Sequence, residues 1–294
     1  QLNGYLTREY IKDVGTPKRL ERAEQDLLNG RVERLRINRV CPAVFVDRDG
    51  TLNKEVNRVT GTSELKLLEG AGRALRRINL EGRLAVIVTN QPVIARGDCS
   101  FGELERIHGK LEGLLGAEGG YADAIYYCPH HPDSGFAGEL PEFKVECKCR
   151  KPATGMLEKA TEDLNIDVAA SWMIGDTTTD LETANRFGLK SVLVRTGHAG
   201  FDKRYKVSPD YTFSSIRESV DFILTAHEDL VSQAAELVEQ FNYPQLIQIG
   251  GLARSGKTTW AALFRDALAR QGRAAHIICA DGWLKPASER LNQD

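Results

Sequence analysis

From Val40 onward, short apolar runs rich in β-formers alternate with stretches of helical periodicity. Strands that are apolar throughout and separated by helices indicate a parallel sheet covered on both faces. We therefore predict an α/β fold, a Rossmann-like parallel sheet with helices on both faces. The predicted strands are Ala43–Val46, Leu84–Val88, Ala124–Tyr127, Trp172–Ile174 and Ser191–Val194.

Polar residues stand at the ends of four of these runs. They are Asp47, Thr89, Cys128 and Asp176. In open α/β sheets, ligands bind at the carboxyl ends of the strands, so we expect these side chains to meet in one crevice.

Two carboxylates, Asp47 and Asp49, lie two residues apart at the end of the first strand, where the strand period sends both the same way. A carboxylate can attack phosphorus once a divalent cation neutralises the phosphate oxygens, and a second carboxyl can protonate the leaving oxygen and later activate water. We predict Asp47 as nucleophile, forming an aspartyl-phosphate, and Asp49 as acid/base. An acidic turn or a Ca²⁺ loop is the alternative.

Further phosphate-handling groups follow in order. Thr89, Asn90 and Gln91 offer a hydroxyl and two amides to phosphoryl oxygens, although a strand-end cap has the same composition. Arg150 supplies a forked guanidinium for substrate anions, and Lys151 a compact ammonium for the transferred phosphoryl group.

A third carboxylate completes a predicted Mg²⁺ site. Asp176 ends a strand and joins Asp47 and the backbone carbonyl of Asp49 as oxygen ligands. Asp180, four residues further on, either supports this site or caps the next helix.

One histidine and three cysteines have the spacing of a structural zinc site, with His131 as a bystander. Zinc would staple a loop that has little core of its own and hold Arg150 and Lys151 at the mouth of the active site. The four predicted ligands are Cys128, His130, Cys147 and Cys149.

The order of these motifs resembles the haloacid dehalogenase (HAD) superfamily, and within it the heptose 1,7-bisphosphate 7-phosphatases. The resemblance implies the same roles for Asp47, Asp49, Thr89, Lys151 and Asp176, with recognition of a small phosphorylated sugar by Arg150. It adds Asn53 and Arg96 to Asn90 and Gln91 as substrate-binding residues. The segments that carry it are Asp47–Asn53, Val88–Gln91, Ile94–Gly97, Tyr127–Pro132, Cys149–Pro152 and Gly175–Asp176.

The chain departs from the family pattern at three places. Pro92 and Val93 follow Gln91 where the family has Ser-Gly, Thr177 stands where a Lys commonly follows the metal-binding Asp, and the loop after Asn53 lacks the usual Asp and Tyr. These differences lie in regions that contact the substrate in the family. We therefore expect the reaction chemistry to be unchanged, whereas the identity of the sugar is open.

A P-loop pattern occurs near the C-terminus, with Gly251, Gly256, Lys257 and Thr258 as candidate ATP-binding residues. The pattern resembles the opening of small-molecule kinases, and Asp281 would be the kinase base. We expect a partial α/β unit with little or no kinase turnover. Its predicted strands are Leu246–Ile249 and Ala274–Cys279.

The N-terminal segment Tyr10–Pro17 resembles the end of a sugar nucleotidyltransferase, in which Asp13 would ligate metal, and a charged amphipathic helix follows it. A turn with a docking helix is the alternative. We predict three regions: a tail at 1–37, a phosphatase at 38–227 and a kinase-like part at 228–294. Because the chain starts at Gln1 and stops soon after the P-loop, we expect a piece of a longer fusion protein.

Charge and hydropathy argue against nucleic acid and membranes as partners. The formal charge of −2 gives no overall attraction to nucleic acid, and no apolar run reaches the length of a membrane span. We expect a cytoplasmic enzyme. Histidinol-phosphate phosphatase, a polynucleotide phosphatase/kinase and a non-catalytic module of a larger fusion stay open as alternatives.

Overall fold

The computed structural model describes residues 10–28, 31–34, 39–135, 137–240, 246–250 and 256–278. The chain divides into two compact units, residues 1–224 and residues 225–294. Gly251 and Asp281, predicted at the P-loop and as the kinase base, lie outside the described residues.

The first unit is built on a six-stranded sheet, and all five neighbouring strand pairs in it are parallel. The strand order is β3-β2-β1-β4-β5-β6, which reverses direction between β1 and β4. The strands are β1 (Cys41–Val46), β2 (Leu84–Asn90), β3 (Ala124–Cys128), β4 (Ile166–Gly175), β5 (Lys190–Val194) and β6 (Tyr211–Phe213).

Helices follow most of the strands. Several begin at a hydroxyl cap: the Ser100 hydroxyl accepts a hydrogen bond from the backbone N–H of Glu103 at 3.1 Å, which satisfies a donor that the helix leaves open. The helices are α1 (Pro17–Leu28), α2 (Arg31–Arg34), α3 (Ala71–Leu80), α4 (Phe101–Ala117), α5 (Gly155–Leu164), α6 (Thr178–Phe187), α7 (Ile216–Asp221), α8 (His227–Glu239) and α9 (Lys257–Arg270), with short 3₁₀ turns at Thr62–Glu64 and Pro141–Phe143.

The predicted parallel α/β sheet is confirmed, and β1 lies in its middle. Residues Ala43–Val46 of β1 are fully buried, as expected for a strand covered on both faces. The structure adds β6, which the sequence analysis did not predict because three residues are too short for a pattern to register.

The N-terminal helix α1 forms where the sequence predicts it, but it buries none of its residues. Leu20, Leu27 and Leu28 are all exposed, so its apolar stripe contacts no core within the described chain.

The second unit contains α8 and α9. Buried His227 contacts Asp266 across the two helices, with Nε2 and Oδ2 3.1 Å apart. The predicted strands at 246–249 and 274–279 are absent from the described residues there: 246–250 and 273–278 have no regular structure, and Leu246 and Ile278 are exposed. A strand needs a partner for its backbone N–H and C=O groups, and the described part of this unit offers none.

Of the helices in the described ranges, none combines the length and the apolar character that crossing a bilayer requires.

Candidate active site

Three carboxylates meet where the strand order reverses. Asp47 follows β1 and Asp176 follows β4, which are hydrogen-bonded neighbours, and Asp180 lies in the first turn of α6. One oxygen from each of these three side chains lies within 4.8 Å of the others. All three residues are buried, so this part of the sheet concentrates negative charge away from water.

The lysine predicted to stabilise the phosphoryl group lies in the same cluster. The Lys151 ammonium donates hydrogen bonds to Asp180 Oδ1 at 2.6 Å and to the Val88 carbonyl at 2.9 Å, and it pairs with Asp47 Oδ1 at 2.8 Å. Burial alone lowers the pKa of Lys151, but the charges of Asp180 and Asp47 outweigh it and raise the pKa above its ordinary value. The ammonium therefore stays charged at neutral pH.

The pKa values of the Asp47 and Asp176 carboxyls are also raised, which for a carboxyl disfavours the charged form. Burial, reinforced by the charge of Asp180, raises the pKa of Asp47 to about 7 and that of Asp176 to about 8. Like charges that share a buried site favour protons or a cation between them.

The donor set fits a divalent cation. Asp176 Oδ2 accepts a hydrogen bond from the His198 backbone N–H at 2.7 Å, but its buried Oδ1 has no hydrogen-bond partner within the described chain. A buried carboxylate oxygen without a donor is costly, and oxygen ligands of this kind suit Mg²⁺. Asp47 and Asp176, both predicted as ligands, are thus brought together.

Two glycines in left-handed conformations close over Asp176. A Cβ at Gly50 (φ 75°) would come within 2.3 Å of Asp176 Oδ2, and a Cβ at Gly197 (φ 54°) within 2.2 Å. Both distances are impossible for real atoms, so the close approach of the two backbones to the carboxylate requires glycine.

Asp180 has both roles that the sequence left open. Its Oδ2 accepts hydrogen bonds from the Thr177 backbone N–H (3.1 Å) and hydroxyl (2.6 Å), closing a capping box at the start of α6. Its Oδ1 accepts the bond from Lys151. One carboxylate thus fixes both the helix start and the lysine.

Asp49 faces a different set of partners. Its Oδ2 accepts hydrogen bonds from Arg48 Nη2 at 2.8 Å and from Gln91 Nε2 at 2.9 Å, and its Oδ1 accepts one from Asn53 Nδ2 at 2.9 Å. Burial alone raises the pKa of Asp49, but the Arg48 charge and these hydrogen bonds hold it below its ordinary value. The Asp49 carboxyl is therefore ionised in this arrangement.

Three amides that were predicted to bind substrate contact other predicted site residues in the structure. Asn53 and Gln91 were predicted to bind substrate, but both are buried with their side-chain amides bonded to Asp49. Asn90 bonds the Lys151 backbone twice: Nδ2 donates to its carbonyl at 3.1 Å, and Oδ1 accepts from its N–H at 2.9 Å. The three amides therefore fix the positions of the Asp49 carboxylate and the Lys151 backbone.

The predicted zinc ligands form a compact cluster. Neighbouring sulfur and Nδ1 atoms lie 3.1 to 3.6 Å apart. A tetrahedral site with Zn–S bonds of about 2.3 Å has sulfur–sulfur edges of about 3.8 Å, so a small expansion of the cluster accommodates the ion. The cluster comprises Cys128, His130, Cys147 and Cys149.

Arg150 and Lys151 follow the last cysteine directly and line the same cleft as the carboxylates. Arg150 Nη1 donates to the His130 carbonyl at 3.1 Å, so the loop that carries the Cys/His cluster also contacts the Arg150 side chain. Arg96 and Thr89 line the cleft as well, and Arg96 Nη2 lies 3.4 Å from His131 Nε2.

Sequence reasoning missed Arg48, His198 and Arg204. Arg48 stands between the two aspartates in the sequence, and its side chain is fully buried with its guanidinium on the Asp49 carboxylate. His198 and Arg204 line the cleft from the loop after β5, which has no recognisable motif.

At the second unit, Gly256 (φ 79°) precedes α9, so Lys257 and Thr258 occupy its first turn. At the N-terminus, the Asp13 carboxylate accepts a hydrogen bond from the Gly15 backbone N–H at 2.9 Å and pairs with Arg19. Within the described residues, neither arrangement brings further predicted site residues together.

Comparison with known proteins identifies relatives of the first unit. A family model described as HAD-hydrolase-like matches residues 148–219. The D-glycero-beta-D-manno-heptose-1,7-bisphosphate 7-phosphatase of Haemophilus ducreyi is 43% identical over 159 residues, which are 53% of this chain and 85% of that protein. The D-glycero-D-manno-heptose-1,7-bisphosphate 7-phosphatase of Thermosynechococcus vestitus is 35% identical over 191 residues, 63% of this chain and 96% of that protein.

Among solved structures, the D,D-heptose 1,7-bisphosphate phosphatase from B. bronchiseptica, complexed with magnesium and phosphate, superposes with a TM-score of 0.54 and 29% identity. The match covers 62% of this chain and 98% of that one. None of the relatives named here is a nucleotidyltransferase or a P-loop kinase. With 43% identity over most of a relative's length and the same fold, the chain belongs to the heptose 1,7-bisphosphate 7-phosphatase family of the HAD superfamily.

Proposed function

We propose that this chain removes the 7-phosphate of D-glycero-D-manno-heptose 1,7-bisphosphate, with Asp47 as nucleophile. The observation that carries the proposal is the contact of Lys151 Nζ with Asp47 Oδ1 at 2.8 Å, beside Asp176 and Asp180 and inside an open cleft. A buried carboxylate next to a fixed ammonium and a cation site is the arrangement that attack on a phosphoryl group requires.

In the first step, Asp47 attacks phosphorus and the bond from phosphorus to the sugar oxygen breaks, giving a phospho-aspartate. Lys151 holds one Asp47 oxygen through the 2.8 Å contact and compensates the negative charge of the phosphoryl oxygens. In the second step water attacks phosphorus, the Asp47 carboxylate leaves and inorganic phosphate is released.

Asp49 transfers the protons in this mechanism. It must carry a proton in the first step, whereas its bonds to Arg48, Asn53 and Gln91 favour the ionised form in the resting site. A phosphate dianion placed beside it raises its pKa, because a nearby negative charge disfavours ionisation. Asp49 then donates the proton to the leaving sugar oxygen and takes one from the attacking water.

Two metals have suitable ligands in this chain. Asp47, Asp176 and the backbone carbonyl of Asp49 would hold Mg²⁺, which neutralises phosphate oxygens when bound. The four ligands of the Cys/His cluster would hold a structural Zn²⁺, which leaves no position open for chemistry.

The size and charge of the cleft favour a small sugar phosphate. Its volume is about 260 Å³, and Arg58, Arg96, Arg150 and Arg204 line it. Such a space is below the range of about 300 to 1,000 Å³ common for drug-sized ligands, so it suits a monosaccharide better than an oligonucleotide.

The test is phosphate release with Mg²⁺ from α- and β-heptose 1,7-bisphosphate, histidinol phosphate, a 3′-phosphorylated oligonucleotide and an aryl phosphate. We expect the highest kcat/KM on one heptose anomer. A higher kcat/KM on histidinol phosphate or on the oligonucleotide would show that the proposed heptose substrate is wrong. The Asp47→Asn variant should release no phosphate while keeping its fold, and unchanged turnover would overturn the mechanism.

We also propose that Lys257 and Thr258 contact nucleotide phosphates, since they lie in the first turn of α9, where backbone N–H groups are open to anions. Equilibrium dialysis with ATP, comparing the chain with its Lys257→Ala variant, tests this. Equal binding by both would refute it. We likewise propose, from the N-terminal resemblance to a nucleotidyltransferase, that Asp13 ligates a divalent cation; equal binding of Mn²⁺ by the chain and by its Asp13→Asn variant would refute this.

A further inference from the structure

The rim of the catalytic cleft carries more positive charge than its nearby carboxylates neutralise. Arg58 pairs with Asp98 at 2.5 Å. By contrast, Arg150 and Arg204 form no ion pair with any of the residues that the structure describes, and Arg150 uses Nη1 on a backbone carbonyl. Two guanidinium groups on one cleft therefore lack an anionic partner.

Arg150 and Arg204 line the same cleft, so their positive charges share one space. Like charges that share a cleft raise the energy of its unliganded state, and an anion bound between them relieves the repulsion.

Arg204 is held at this place by its backbone. The Thr178 hydroxyl is buried at the start of α6 and accepts hydrogen bonds from the N–H groups of Arg204 (3.1 Å) and Tyr205 (3.2 Å). The Asp202 carboxylate accepts hydrogen bonds from the Thr178 hydroxyl at 2.6 Å and from its N–H at 2.8 Å, so both of its oxygens are used within the loop. The loop is thus fastened to the helix that carries Asp180.

The cleft has two ends of different character. The reacting groups Asp47, Lys151 and Asp176 are buried at the floor, whereas Arg204 is exposed at the rim. A substrate whose reacting phosphate lies on the floor extends its other end towards the rim, where forked guanidinium groups match the geometry of phosphate oxygens.

We propose that Arg204, together with Arg150, binds the phosphate of the bisphosphate substrate that is not hydrolysed, and that Arg204 sets the preference for a bisphosphate over a monophosphate. This inference rests on the proposed function, because it assumes a sugar that carries a second phosphate.

The experiment compares kcat/KM for the preferred heptose 1,7-bisphosphate with that for the same heptose 7-phosphate lacking the C1 phosphate. Arg204→Gln should lower the ratio of the two values by roughly ten- to a hundred-fold, since a charge-assisted hydrogen bond to the second phosphate is lost. The loss should fall on KM more than on kcat, because the contact is remote from the reacting atoms. Arg204→Lys should recover part of it by keeping the charge without the fork.

Lys206→Gln is the matched control. Lys206 is an exposed cation on the same loop that lines a neighbouring cavity with Lys203 and Tyr205. The Lys206→Gln substitution also removes one positive charge from this loop, and we expect it to leave the ratio of the two kcat/KM values unchanged.

Three outcomes count against the inference, and they are distinguishable. If the unsubstituted chain prefers the bisphosphate and Arg204→Gln keeps that preference, the role of Arg204 is refuted. If Lys206→Gln lowers the ratio as much as Arg204→Gln does, the effect comes from the overall positive charge of the loop, and a specific contact of Arg204 with the phosphate is refuted. If the unsubstituted chain shows no preference, the proposed substrate itself fails.

Discussion

Acid should destabilise this protein through His108, a buried histidine beneath the active site. His108 Nε2 lies 3.3 Å from Nη1 of the fully buried Arg48, and a guanidinium can only donate, so the ring nitrogen must accept and the ring must be neutral. Burial, assisted by the Arg48 charge, lowers the pKa of His108 from 6.5 to about 4.

The sign and size of the effect follow from linkage. Between pH 6.5 and 4 the unfolded chain binds a proton at His108 and the folded chain does not, so the free energy of unfolding falls as the pH falls. The full difference in pKa corresponds to about 3 kcal/mol, of which about 2 kcal/mol is already lost at pH 5.

The perturbation is His108→Gln, which can offer an acceptor to Arg48 and does not titrate. Urea unfolding of both proteins is followed at pH 7.5, 6 and 5 by circular dichroism. At each pH the free energy of unfolding of the variant is subtracted from that of the parent, so that the contributions of other titrating groups cancel. We expect the parent to lose about 2 kcal/mol more than the variant between pH 7.5 and 5. The exposed His276→Gln serves as control. Parallel pH dependence of parent and His108→Gln would refute the reasoning.

Three further predictions concern the site. Lys151→Met should lower kcat by about 10² to 10³ in the phosphate-release assay, since an ammonium fixed beside the phosphoryl group is lost, and retained activity would contradict its role. Gly197→Ala should weaken Mg²⁺ binding and lower the unfolding free energy by about 1 to 3 kcal/mol, whereas Gly102→Ala, where a Cβ meets nothing within 4 Å, should do neither. Cys147→Ser, or removal of zinc by a chelator, should lower the melting temperature and activity together; activity that survived both treatments would show that the loop positions Arg150 and Lys151 without metal.

The sequence predicted the fold and the floor of the site because both rest on local signals. Asp47 and Asp176 stand directly after apolar strands, and the carboxyl ends of parallel strands meet whatever the loops do. The four residues that form the Cys/His cluster were predicted from their spacing alone. Strand ends and ligand spacing can be recognised in one sequence because they depend on residues that are close in sequence.

What could not be predicted depends on contacts between distant segments. Asn53 and Gln91 carry amides of the kind that bind substrates, and only the structure shows that both amides donate hydrogen bonds to the Asp49 carboxylate. Arg204 reaches the cleft because a loop is tied to Thr178, and no pattern in the sequence records that tie. The predicted strands of the second unit had the right composition but no partner strands in the described residues.

The position of β1 in the middle of the sheet has a consequence for folding. The Ala43 N–H donates to the Ser171 hydroxyl at 2.8 Å, a contact between residues 128 positions apart in the chain. Pairing of this kind closes a long loop, which makes it slow compared with local helix formation. Because Asp47 and Asp176 follow these two strands, the catalytic centre is assembled only when the two halves of the sheet join. During refolding, phosphatase activity should therefore return after most of the helical signal has recovered.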